Sequence, residues 1–364
     1  MKNNRTILLL LLSLSQSSAQ PTSLQEFTAS STFDCASYKT QAQQQLATGI
    51  SAVTYGLSGG RFGDNLLCYL HAKWISYKYH IPLLYYPFEY SSHLVLDEAE
   101  LLSTVGNTDA LKKYDNGQPV SKILWINTVN IKANEGTLYV VPWFPESIVE
   151  FERLEDARAY FYVNWDDEKF INHVRELIYP RYPLSLIPLP HDAITVAVHV
   201  RRNSNGFDLS MSFAFDAPPQ GRQYLDDYYP FKCVNDDFYI YGIKKVRELY
   251  RDKPLYVFIF TDDKNPEQIA EKYKRMINDD SITFDYRRGP HDHTTNVLED
   301  FFSMLRFDCL IRADSNFSLV ASKLGRYKVI ISPAGYQLRD NHPVIVKAHI
   351  TMPVEEHTLN VSCT

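Results

Sequence analysis

The sequence predicts an α/β protein of two Rossmann-like domains, each with a parallel sheet covered by helices. Three observations predict it. A strand, a glycine turn, a helix and a strand follow one another over residues 57–86. From residue 194 onward, continuous apolar runs alternate with amphipathic helical patterns, as in parallel sheets buried on both faces. Between these halves, Tyr179 to Pro190 carries four prolines in 12 residues, which neither a helix nor a central strand tolerates.

The first 19 residues are set apart from the fold. A basic stretch, Lys2 to Arg5, precedes the leucine-rich Ile7–Leu14, and Ser17-Ser18-Ala19 supplies small residues for cleavage. This is the layout of a secretory signal peptide. The apolar run is shorter than the roughly 20 residues that span a bilayer, so no stable membrane span is expected if the signal is cleaved; an uncleaved anchor is the alternative. The expected compartment is the lumen of the ER or Golgi, the exterior, or the periplasm in a bacterium. Five cysteines follow the leader (Cys35, Cys68, Cys233, Cys309, Cys363), so at least one thiol lacks an intrachain partner.

The elements are expected in this order. Residues 20–48 are polar and aperiodic and read as a flexible stalk. Residues 49–187 form the N-terminal domain. In it, Leu66, Leu67, Leu70 and Trp74 share one helix face after the turn Gly59-Gly60-Arg61-Phe62-Gly63-Asp64-Asn65. Strands are expected at 81–86, 123–130 and 138–143, and helices at 151–160 and 166–178. Residues 188–345 form the C-terminal domain. Its strands are Ile194–Val200, Leu255–Phe260, Cys309–Ile311 and Val329–Ser332. Its helices cover 236–251, 266–277, the face Leu298, Phe301, Phe302, Leu305, and 318–325. Residues 346–364 read as a tail.

Composition narrows the function. The 364 residues carry a net charge of −6, with no basic run of the kind a nucleic-acid partner favours. No Cys/His spacing suggests zinc; His291-Asp292-His293 reads as a polar loop. Tyr and Phe are abundant (25 and 20), as in sugar-binding surfaces and in cores alike. Trp125, Trp143 and Trp165 fit core packing better than a stacking platform.

Four polar clusters fall where ligands bind in open α/β sheets, at strand carboxyl ends or helix starts. In the glycine turn, Gly60 and Gly63 allow close backbone approach, and Asp64 or Asn65 caps the helix start. His199-Val200-Arg201-Arg202 ends a buried strand. Its guanidinium groups fork onto phosphate oxygens, but the two arginines point to opposite faces if the strand continues, so that one meets a ligand and the other makes a structural ion pair. Thr261-Asp262-Asp263 ends the next strand, where it positions an arginine, binds a metal or caps the helix opened by Pro266. Asp300, with Asp314-Ser315-Asn316-Phe317-Ser318, offers a neutral cradle at a helix start, or ordinary capping.

In this order the four clusters resemble the fucosyltransferase superfamily, which comprises the α1,2-, α1,6- and protein O-fucosyltransferases. Its G-G-L-G-N-Q-L turn corresponds to Gly59–Leu66, its H-x-R-R to His199–Arg202, its S/T-D-D to Thr261–Asp263, and its E-D…S-x-F-S block to Glu299–Ser318. The likeness spans roughly residues 50 to 335. It implies a GT-B architecture, two Rossmann-like sheets facing a cleft, with the nucleotide in the C-terminal domain. The activity implied is inverting, metal-independent transfer of fucose from GDP-fucose to a glycan or glycoprotein acceptor, with no cofactor beyond the donor. It further implies that His199 and Asp300 contact guanine and that Arg201 holds the β-phosphate. Gly60, Gly63, Asn65, Arg202, Asp262, Asp263, Asn316, Phe317 and Ser318 complete the donor site.

Two departures bear on the acceptor side. Asn203-Ser204 stand where G-D or T-D is usual, and Asp64 stands where the α1,2 branch has Asn. The general base is assigned to Asp208, one position off the α1,6 pattern, with Asp64 as the alternative. The competing functions are a non-catalytic glycan-binding protein on a degenerate transferase fold, and a transferase that uses another GDP-sugar.

Overall fold

The computed structural model describes residues 33–57, 60–103, 122–125, 131–141, 163–202, 231–232, 234–289, 294–339, 342–352 and 355–360. The signal segment, Asp208, His291–His293, Cys233 and Cys363 lie outside the described residues.

In the N-terminal half, helix α1 (Cys35–Ala47) precedes β1 (Ala52–Tyr55) and α2 (Phe62–Tyr79). Then come β2 (Leu84–Tyr85), the short α3 (Leu96–Ala99), β3 (Leu101–Leu102), β4 (Lys122–Trp125), β5 (Thr137–Val141) and α4 (Glu168–Leu177). Strands β1, β5 and β4 form one parallel sheet, with β5 in the middle, and β2 pairs in parallel with β3. A parallel bridge from Val53 to Leu83 places this pair beside β1. Helix α2 is buried along nearly its whole circumference, including Lys73 and His71. A helix covered on all sides belongs inside the molecule.

The C-terminal half contains β6 (Ile194–Val200), α5 (Asp236–Leu249), β7 (Leu255–Thr261), α6 (Pro266–Ile277), β8 (Ile282–Tyr286), α7 (Val297–Met304) and β9 (Cys309–Arg312). These are followed by α8 (Asn316–Leu324), β10 (Val329–Arg339), β11 (His342–Met352) and β12 (Glu355–Asn360). The sheet order is β12-β11-β10-β9-β6-β7-β8, parallel from β10 to β8. From β6 the chain builds outward through β7 to β8, then returns to the other side of β6 to lay down β9. The strand order therefore reverses between β6 and β9. In open α/β sheets the crevice at such a reversal, beyond the carboxyl ends, is where ligands bind.

Strand alternation sorts the side chains of this sheet into two faces. Val196, Val198, Val257, Ile259, Cys309 and Ile311 pack against α5 and α6 in one cluster. Ala197, Phe258, Phe260 and Leu310 belong to the other, which also includes α7, α8 and the core of the N-terminal half. The two halves thus share a continuous apolar core on the face that carries α8. Helix α8 is gripped from the N-terminal half at both ends. Arg175 of α4 donates from Nε to the Leu324 carbonyl at 2.7 Å, and α2 abuts the first turn of α8.

Two expectations are corrected. The stalk at 20–48 ends in a helix, α1, whose start is capped by Asp34 accepting from the Ser37 amide at 3.0 Å. This helix is largely exposed and docks through a sparse face, Cys35, Tyr38, Ala42 and Leu46, set among polar residues that hide its period in the sequence. The tail at 346–364 is in large part strand. β11 pairs antiparallel with both β10 and β12, and Ile345, Ala348 and Ile350 are buried in the core. The ladder closes at Arg339 opposite His342, with Asp340 and Asn341 between, so an antiparallel hairpin extends the α/β alternation on which the expectation rested.

Candidate nucleotide-diphosphate site

The site is built at the β6/β9 reversal. Alternation continues past the strand ends, so Ala197 and His199 of β6 lead to Arg201, Phe258 and Phe260 of β7 lead to Asp262, and Leu310 of β9 leads to Arg312. All lie on the face that carries α8. Arg202 falls on the opposite face, with α5 and α6. It donates to Asp236, to the Val234 carbonyl at 3.1 Å and to the Tyr273 hydroxyl at 3.2 Å, while Lys272 pairs with the same Asp236 at 2.6 Å. Arg202 is thereby the structural member of the arginine pair.

Arg201 is 6% exposed, and its Nη1 donates to Asp262 Oδ2 at 2.6 Å. The other oxygen of Asp262 accepts from the Arg202 amide at 2.8 Å. One carboxylate therefore fixes the backbone after β6 and the first guanidinium together. Asp263 instead shapes the turn, its Oδ1 accepting from the Asn265 amide at 2.8 Å.

His199 is 8% exposed, and its Nδ1 is buried without a hydrogen-bond partner. Its ring lies 5.7 Å from that of Phe317, in the first turn of α8. Burial lowers its pKa to about 3, with Arg201, Arg312 and Arg61 adding positive charge against protonation. The imidazole is neutral, so its unpartnered nitrogen is an acceptor or a donor according to tautomer. Its proton uptake is delayed by folding, so the unfolded chain binds more protons between pH 6.5 and about 3. The stability is complete above that window and falls as the pH drops through it. A urea midpoint lower at pH 5 than at pH 7, with a flatter pH dependence in His199→Gln, is the expected outcome; an unchanged slope in the variant would assign the effect elsewhere.

Helix α8 begins at Ser315 with no side-chain cap and no acidic residue in its first turn. The first of its amides to reach a backbone acceptor is that of Leu319, on Ser315 at 2.8 Å. Such a helix start presents N–H groups and positive potential to an anion. Ser318 is fully buried, with its hydroxyl turned onto the Ala313 and Ser315 carbonyls at 3.5 and 3.3 Å.

The glycine turn meets this helix directly. Asn316 Nδ2 donates to Asp64 Oδ1 at 2.8 Å, across 252 residues of chain. Asp64 Oδ2 accepts from the Arg61 amide at 3.0 Å. A Cβ on Gly63 would lie 2.5 Å from the Phe317 amide nitrogen, so glycine is required for α2 to approach α8. At Gly60 a Cβ would run into the Asp64 carboxylate. Asn65 donates to the Gly60 carbonyl at 2.9 Å. Packing alone accounts for both glycines, and each Asp64 oxygen is engaged. Asp300, in the first turn of α7, accepts from Arg287 Nε at 2.6 Å.

The structure thus brings together the glycine turn, His199, Arg201, Asp262, Asn316 and Phe317. It turns Arg202, Asp263 and Ser318 to structural work. Arg61, Arg287 and Arg312, absent from the sequence-based set, add three guanidinium groups to these elements. Their only sequence signal is position, beside a motif or just at a strand end. Among the described residues, no group of three or more His, Cys, Asp or Glu is placed to hold a metal. No helix there is long and apolar enough to cross a membrane.

No protein-family model and no curated protein matches the chain. Among solved structures it is similar to a mutant of Arabidopsis thaliana FUT1 in complex with GDP. That likeness has 15% identity and a TM-score of 0.45 over 84% of this chain and 76% of that one. It is also similar to POFUT1 in complex with GDP-fucose, at 12% identity and a TM-score of 0.38 over 77% and 96% of the two chains. A third similarity is to the NodZ α1,6-fucosyltransferase of Bradyrhizobium soaked with GDP-fucose, at 13% identity and a TM-score of 0.36 over 86% and 99%. All three scores lie below 0.5, and the site described above stands on its own geometry.

Proposed function

We propose that this protein is a glycosyltransferase that takes a sugar from a nucleoside-diphosphate donor, GDP-fucose by its motif order, and passes it to a glycan or glycoprotein acceptor. The observation that carries this is the convergence at the β6/β9 reversal. A neutral His199, a buried Arg201 oriented by Asp262, and an uncapped helix start lie on one face. A departing diphosphate develops negative charge, and preorganised donors stabilise charge as it forms. Arg201 and the first-turn amides of α8 are such donors, and they act without a metal. The unpartnered His199 nitrogen meets a polar group of the nucleotide.

In the proposed inverting step, an acceptor hydroxyl attacks the anomeric carbon while the bond to the diphosphate oxygen breaks. The hydroxyl proton passes to a carboxylate, which we assign to Asp208. Both oxygens of Asp64 are already hydrogen-bonded, at 2.8 and 3.0 Å, which speaks against that residue as the base. We place the reaction in the secretory lumen, on the leader-like first 19 residues.

The test is calorimetric titration of the purified protein with GDP, GDP-fucose and GDP-mannose in EDTA, followed by an assay for GDP release with a panel of glycans. Micromolar GDP-fucose binding is the expected result. Binding of none of the three rejects the donor site, and glycan binding without nucleotide binding favours a lectin-like function. Preference for GDP-mannose would keep the enzyme and change its donor.

A further inference from the structure

We infer that Arg312 is a second anion-binding guanidinium of this site and holds a phosphate of the donor diphosphate opposite Arg201. The inference rests on the nucleotide site proposed above and adds a residue that neither the motifs nor their order marks.

Position comes first. Arg312 is the last residue of β9, in parallel register with His199 of β6. These two strands flank the reversal, so His199 and Arg201 line its β6 side and Arg312 its β9 side. Residues in register in a parallel pair direct their side chains to the same face. Leu310, two residues earlier, belongs to the cluster on the α8 face. From Arg312, three residues lead to the uncapped start of α8 at Asn316.

Charge comes second. The other arginines at this sheet edge each have a carboxylate within hydrogen-bond reach. Arg201 pairs with Asp262 at 2.6 Å, Arg202 with Asp236, and Arg287 with Asp300 at 2.6 Å. Arg312 has one hydrogen bond, from Nη1 to the Ala313 carbonyl at 3.1 Å. Its nearest carboxylate, Asp314, stands 3.9 Å away with a side chain 61% exposed, whereas that of Arg312 is 13% exposed. A solvated carboxylate at that distance compensates little, while a guanidinium withdrawn from water requires a partner. A guanidinium offers five donors in a planar fork, and one carbonyl occupies few of them. The fork matches phosphate oxygens. A diphosphate seated on the α8 amides, with Arg201 on one side and Arg312 on the other, would supply the missing negative charge.

The experiment is calorimetric titration of full-length protein with GDP, GMP and guanosine, in the wild type, Arg312→Gln and Arg312→Lys, with thermal melts of each. The wild type should bind GDP at least tenfold more tightly than guanosine. Arg312→Gln should lose tenfold or more in GDP affinity, keep guanosine affinity within twofold, and so narrow the GDP-to-guanosine ratio. Arg312→Lys, which keeps the charge but not the fork, should fall between. A structural role alone would weaken both ligands together or lower the melting temperature without moving their ratio. Should Arg312→Gln fail to fold, the ratio measured in Arg312→Lys decides. An unchanged ratio in a folded variant overturns the role of Arg312 and leaves the nucleotide site standing, whereas a wild type that binds no GDP overturns the site itself.

Discussion

Replacing Arg201 with alanine should lower sugar transfer by 10²-fold or more per folded molecule, about 2.7 kcal/mol or more of transition-state stabilisation, as loss of a preorganised donor does. The guanidinium is held in place before any ligand arrives, because Asp262 accepts from its Nη1 at 2.6 Å. No reorganisation is then needed when charge develops on the departing diphosphate. The same substitution has a cost in the fold. Asp262 retains the Arg202 amide at 2.8 Å but loses its charged donor while 11% exposed. Stability should fall by about 1–3 kcal/mol, the usual penalty for a buried acceptor left short of a partner. Turnover corrected for the folded fraction, from melts run on the same samples, separates the two effects. Turnover within threefold of wild type after that correction would remove Arg201 from the mechanism.

Glu100→Ala should cost about 3–5 kcal/mol of folding stability, the range for breaking a buried ion pair on one side. Lys73 and Glu100 are 1% and 2% exposed and lie 2.6 Å apart. Tyr69 donates to the same Glu100 oxygen at 2.9 Å, and Tyr38 of α1 completes the cluster as acceptor for Lys73. Burial pulls the Lys73 pKa down, but Glu100 and Tyr38 outweigh it and raise the pKa overall. The ammonium therefore stays charged and, without Glu100, is left buried with the neutral Tyr38 hydroxyl and no counter-charge. A double variant, Lys73→Met with Glu100→Leu, should recover most of the loss, since apolar replacements of such pairs are often neutral. Guanidinium denaturation of the three proteins checks this; a single-variant loss below about 1 kcal/mol would show that the pair is more hydrated than its burial implies.

Much of the parallel framework was legible in the residues. Ile194–Val200 and Pro266–Ile277 lie where apolar continuity and amphipathic period place them. Both signals are local: a strand buried on two faces tolerates little but apolar residues, and a helix that buries one face, here Ile269, Ala270 and Tyr273, keeps the helical period. The helix α1 and the strand β11 were not legible. The first docks through only a sparse apolar stripe in a polar segment, Cys35, Tyr38, Ala42 and Leu46, and the second departs from the strand–helix alternation that preceded it. At the site, the motif residues stood out by type and by place at strand ends. Their division of labour did not, and Arg312 carried no mark beyond ending a strand.

Read residue by residue, the chain specifies an α/β protein with parallel strands, a glycine turn opening a helix, and a set of polar residues at strand ends. These follow from period, burial and backbone freedom, which act within a few residues. The folded chain alone reveals which arginine faces α8 and which pairs with Asp236, that Asp64 binds Asn316, that Gly63 serves helix contact, and that Lys73 meets Glu100. Those outcomes depend on sheet register and on contacts between residues far apart in the chain, as the 252-residue span from Asp64 to Asn316 shows. Register decides the face of every side chain in a strand, and no local property of an arginine or an aspartate encodes the partner that a distant segment will bring to it.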